Sequence, residues 1–96
     1  MEVYTLFTCD VWKTYDSMRM FFIGTSFKHL YAAIKRMIRQ NVAEYKVYDE
    51  DETTEEQVSN FMQDMHSARN HDERMLLIRD RLEYAYLAVN DNNSYC

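Results

Sequence analysis

A chain with one glycine and no proline in 96 residues has few residues suited to sharp turning. Glycine reaches left-handed backbone without steric cost and proline presets a turn, so elaborate loops around a cleft have little raw material here. Such a chain is best used in helices and strands joined by plain polar links. Its length makes one domain, which buries roughly 60–65 % of the surface that the unfolded chain exposes. Hydrophobic residues are 47 % and aromatics 15 % of the sequence, with eight Tyr, seven Met and five Phe. That supply builds a core without staples and argues against disorder.

The segments follow from residue type and spacing. Val3 to Cys9 and Met18 to Ile23 are rich in β-branched and aromatic residues and read as strands. The stretch Asp10 to Ser17 between them is too long for a two-residue turn, so the pair is expected to be antiparallel with a wide loop. Gly24-Thr25-Ser26 breaks the second strand, and Ser26 caps a helix from Phe27 to Gln40. On that helix Phe27, Leu30, Ala33, Ile34, Met37 and Ile38 share one side, with Lys28, Lys35 and Arg39 opposite and Arg36 beside them.

Ala43 to Tyr48 reads as a short strand, expected to return beside its predecessor by a right-handed crossover. After the acidic link Asp49-Glu50-Asp51-Glu52, a helix starts at Thr53 or Thr54, with Glu55 and Glu56 favourable in its first turn. Its apolar stripe is Val58, Phe61, Met62 and Met65, and the break falls at Ser67 to His71. A third helix, capped by Asp72, presents Met75, Leu76 and Ile78 inward and Arg74, Arg79, Asp80 and Arg81 outward. Tyr84 to Val89 reads as a last strand, with helix as its alternative, and Asn90 onward as a fraying tail. The expected fold is α+β, a small mainly antiparallel sheet with helices on one face, in the order ββαβααβ. It spans residues 1–90, with 91–96 as a polar tail.

Charge and chemistry narrow the function classes. The net charge of −5 counts against nonspecific binding to DNA, which needs concentrated Lys and Arg. No secretory leader or bilayer-length apolar run is read, and two cysteines far apart form no disulfide framework. The expectation is a reduced, soluble, cytoplasmic chain. Cys9 has no local signature linking it to His29, His66 or His71, and a buried inert thiol is the ordinary outcome in a strand. The histidines and cysteines lack metal-ligand spacing. The run from Asp49 superficially matches a calcium loop, but Thr54 stands where Gly is required and Asn60 where Glu is. No catalytic residues, metal or cofactor are expected.

Three features remain for binding. The carboxylates Asp49, Glu50, Asp51, Glu52, Glu55 and Glu56 either form a solvated face or attract a basic partner. Lys13, Arg19, Lys28, Lys35 and Arg39 could hold a phosphate or nucleotide, although no glycine-rich loop cradles one. Trp12, in a polar loop with Lys13 and Tyr15, is expected to fold back and close the core. Its alternative fate is to anchor a partner, as Trp, Tyr and Arg do at interfaces.

The run Leu6-Phe7-Thr8-Cys9-Asp10 with Trp12-Lys13, continued by Ser17-Met18-Arg19, resembles small uncharacterised proteins of phages and prophages, chiefly over the first forty residues. The resemblance implies no catalytic residues. It implies a context, the bacterial host cytoplasm, in which short acidic phage proteins block host defences, including CRISPR nucleases. The expected function is therefore stoichiometric inhibition of a host defence protein, with Trp12 and the acidic run in contact. The alternative is sequestration of a nucleotide signal. With eight tyrosines, more than a small core needs, a homodimer is a further expectation.

Overall fold

The computed structural model describes residues 2–10, 12–47 and 51–91. It is an α+β fold: β1 (Glu2–Thr8), a single 3-10 turn (Tyr15–Ser17), β2 (Arg19–Gly24), α1 (Phe27–Arg39), β3 (Glu44–Tyr45), α2 (Thr54–Ser67), α3 (His71–Arg81), β4 (Leu82–Glu83) and β5 (Ala85–Asp91). An antiparallel sheet runs β2-β1-β5, and β3 pairs with β4 in a second, two-stranded ladder.

Alternation in the central strand sorts the sheet into two faces. Tyr4, Leu6 and Leu87 are buried toward the helices, with Leu6 paired to Leu87 and Tyr4 to Val89. Between Leu6 and Phe7 the β1-β2 register shifts. The extra residue lets both Phe21 and Phe22 pack against the core. The lone glycine sits here in ordinary extended backbone. A Cβ at Gly24 would meet the Phe22 ring at 2.8 Å, so glycine makes room for an aromatic ring and is not used for a turn. Left-handed backbone falls instead on Lys13, Asn41 and Tyr84.

Helix α1 begins at Ser26, whose hydroxyl accepts the His29 N–H. It ends in a Schellman arrangement in which Asn41 N–H reaches the Ile38 carbonyl and Val42 N–H the Met37 carbonyl. Thr53 and Glu56 form a full capping box on α2. The core joins Leu30, Ile34, Met37 and Ile38 of α1 to Val58, Phe61 and Met65 of α2, Ile78 of α3 and the inner sheet face.

Several expectations need correction. The strand after α1 does not return beside its predecessor: β3 pairs antiparallel with β4, Tyr45 opposite Leu82, and Tyr48 lies outside the described residues. Asn70, not Asp72, caps α3 by accepting the Glu73 N–H. Leu76 is 64 % exposed, because it lies well over a quarter turn of the helix from the buried pair Met75 and Ile78. Met62 is similarly left outside. Arg81 is not a free surface charge but bonds Asp64 at 2.5 Å. The last strand extends to Asp91, so Asn90 and Asp91 belong to the sheet. Residues 92–96 lie outside the described residues.

Candidate functional site

Asp10 organises the loop between β1 and β2. Its N–H donates to Ser17 Oγ at 3.0 Å, and its carbonyl accepts the Lys13 N–H at 3.0 Å. Its carboxylate accepts the Thr14 N–H at 3.0 Å and the Thr14 hydroxyl at 2.9 Å. The Thr14 amide first, and then the Thr14 and Ser17 hydroxyls, hold the Asp10 carboxyl below the usual carboxylate range. Arg19 fastens the return of the loop by donating to the backbone carbonyls of Asp16 and Met18.

This loop displays aromatic side chains instead of burying them. Trp12 is 80 % exposed and Tyr15 is 88 % exposed, which overturns the expectation that Trp12 folds back to close the core. The core is already filled by Tyr4, Leu6, Phe61 and their neighbours, while the Asp10 turn holds the loop out. Beside it lies a hollow of about 580 Å3 lined by Phe7, Tyr15, Asp16, Met18, Arg19 and Tyr86. The Phe7 and Tyr86 rings, 6.4 Å apart and tilted, form one apolar wall. Arg19 and Asp16 supply one charge of each sign.

The hollow opens onto the outer face of the sheet, which no described element covers. Two ladder rows run across it: Met20, Phe7, Tyr86 and Ile23, Thr5, Ala88. Val3 and Asn90 pair beyond them. Met20 and Ile23 are 61 % and 56 % exposed. Sequence reading missed Phe7, Met20, Ile23 and Tyr86. Their signal was present in β1, where Val3 and Phe7 make the outward alternation as apolar as the inward one.

The other candidate residues lie elsewhere. Asp49 and Glu50 fall outside the described residues. Asp51 and Glu55 are exposed around the start of α2, whereas Glu56 accepts the Thr53 N–H in the capping box and Glu52 accepts the Asn60 side-chain amide. Part of the acidic run is thus engaged in building the helix. Lys28 and Arg39 are exposed on α1, and Lys35 lies 4.8 Å over the Tyr31 ring. These three sit in the helical layer, while Arg19 borders the hollow on the far side of the sheet. Lys13 belongs to the Trp12 loop.

Among the described residues no contact joins Cys9 to His29, His66 or His71. Cys9 borders a small hollow with Asn41 to Glu44 and Tyr84, and burial pushes its thiol up. His71 instead meets the Tyr4 hydroxyl at 2.9 Å and the Glu2 carboxylate at 3.3 Å. No described group of three or more His, Cys, Asp or Glu gathers as a metal site, and no described helix is long and apolar enough to cross a membrane. Comparison with models of protein families, with curated proteins and with solved structures finds no match.

Proposed function

We propose that this chain is a non-catalytic binding protein that acts by stoichiometric contact with another protein, through the β1-β2 loop and the hollow beside it. The observation that carries this reading is the exposure of Trp12 and Tyr15 on a loop that Asp10 has already ordered. A large aromatic held outside the core contributes nothing to folding by burial. It gives binding energy when a partner desolvates it, and an ordered loop lowers the entropy that binding must offset. The resemblance of the Leu6 to Lys13 run to phage and prophage proteins supports a target class: a host defence factor such as a CRISPR nuclease, inhibited in the bacterial cytoplasm. Asp51 and Glu55 add negative charge that steers a basic partner.

The test is capture of a partner from host lysate by the tagged chain, repeated with Trp12→Ala plus Tyr15→Ala. Capture of a stoichiometric protein by the parent, with at least a tenfold loss of affinity in the double variant at unchanged circular dichroism, supports the reading. Equal capture by both removes the loop from it.

A second reading, sequestration of a nucleotide, is favoured by the same hollow, since Phe7 and Tyr86 offer a base-stacking wall and Arg19 a cation. Calorimetry with linear and cyclic nucleotides tests it. Binding that is lost in Arg19→Ala supports sequestration, and no heat across the panel removes it.

A further inference from the structure

We infer that the uncovered outer face of the three-stranded sheet is a homodimer interface, and that its occupant is a second copy of this chain packed sheet on sheet. The two copies are related by a twofold axis that runs above the outer face, parallel to the sheet and perpendicular to the strands.

Charge selects the occupant first. The outward positions of the ladder, Val3, Thr5 and Phe7 with Met20, Ile23, Tyr86, Ala88 and Asn90, carry no ionisable group at neutral pH. A strongly basic or acidic partner would find nothing there to pair with. A second copy brings an equally uncharged face, so no charge is buried unpaired. Elsewhere, two chains of net charge −5 repel each other, which favours contact through this face over other surfaces.

Shape gives the same answer. The face is uneven along the strands, with Met20, Phe7 and Tyr86 in a high row and Thr5 and Ala88 in the low middle of the next. Thr5 is buried between its taller neighbours. The proposed twofold reverses strand direction between the copies. The high row of each then rests over the low rows of the other, as an isologous contact requires.

The area suits a modest, reversible dimer. With seven residues in β1, spacings of about 3.4 Å per residue and about 4.8 Å per strand give a face of about 14 by 24 Å, roughly 340 Å2 measured flat. The upstanding Met20, Ile23, Phe7 and Tyr86 add to that, but the face stays smaller than the roughly 800 Å2 that a standard interface takes from each partner, which places it among weak, reversible contacts. The expected dissociation constant is on the order of micromolar. The arrangement leaves the Trp12 loops at opposite ends of the dimer, open to a target, but covers the Phe7 and Tyr86 wall of the hollow, so the dimer and a ligand seated in the hollow exclude each other.

Sedimentation equilibrium of the full chain tests it, over about 1 to 300 µM, a span that brackets a micromolar constant. The expected result is a mass rising from 11.7 kDa to twice that value. Ile23→Lys is expected to raise the dissociation constant at least tenfold with the circular dichroism spectrum and melting temperature of the parent monomer kept. Met20→Lys gives the same reading should Ile23→Lys fail to fold. Leu76→Lys, at an equally exposed apolar position on α3, is expected to dimerise like the parent. A parent that stays at the single-chain mass throughout overturns the inference. So does a folded Ile23→Lys or Met20→Lys protein that dimerises normally, or a folded Leu76→Lys that does not. None of these readouts depends on target capture, so the dimer and the Trp12 loop fail or stand separately.

Discussion

Tyr84 turns the chain from the β3-β4 ladder into the main sheet with a φ of 64°, and its carbonyl accepts the Cys9 N–H at 2.9 Å. A bulky residue held left-handed costs about 1 kcal/mol. Tyr84→Asn is therefore expected to raise the urea midpoint, by up to about 1 kcal/mol of stability, while Tyr84→Val lowers it. A second residue ties the helical layer together. The Tyr45 hydroxyl donates to Asp64 at 2.6 Å, and Arg81 donates to the same carboxylate oxygen. Burial first, and then the Asp64 carboxylate, push the Tyr45 phenol above its ordinary value; burial likewise raises Tyr4 and Tyr31. As pH rises past about 10 the unfolded chain loses phenol protons that the fold retains, so stability falls with pH there and is fully present below. Urea titrations between pH 8 and 11 check this: the decline is expected to be shallower in Tyr45→Phe, which itself costs about 1 kcal/mol at neutral pH.

At the scale of elements, α2 rests on a capping box at its start and an aromatic contact in its middle. Thr53→Ala removes the box and is expected to lower stability by about 1 kcal/mol. Phe61, whose ring centroid lies 5.2 Å from those of both Tyr31 (tilted) and Tyr45 (edge to face), is expected to cost about 3–5 kcal/mol when cut to Ala, read from the same urea curves. Local signals of this kind were legible in the sequence. Ser26, Thr53 and the 3.6-residue spacing in α1 state their roles within one or two turns of chain. What was not legible depended on distant segments. β3 is two residues long and pairs with β4 almost forty positions later, so no local pattern names its partner. Leu76 and Trp12 look like core residues by type, but the core is filled without them. The outer sheet face was missed for a related reason: apolar residues on both alternations read as one continuous strand signal and do not show which side goes uncovered.

For the molecule as a whole, the decisive pairing is β1 with β5, from Glu2 opposite Asp91 to Thr8 opposite Ala85. The middle strand of the sheet is the first described, and one of its two neighbours is the last described. Deleting residues 85–91 should therefore unfold the domain and not trim an edge, because Tyr4 and Leu6 lose the strand that carries Leu87 and Val89. Loss of the cooperative thermal transition checks this. The pairing also sets the tempo of folding. The helices can form from contacts a few residues apart, but the sheet must bring the two ends of the described chain together, at a loop-closure cost that the helices do not bear. A molecule this rich in helix would accordingly fold at the pace of a β protein. Until its ends meet, Leu6 and Leu87 stay in water, and the interval is one in which a chaperone or a protease can reach them.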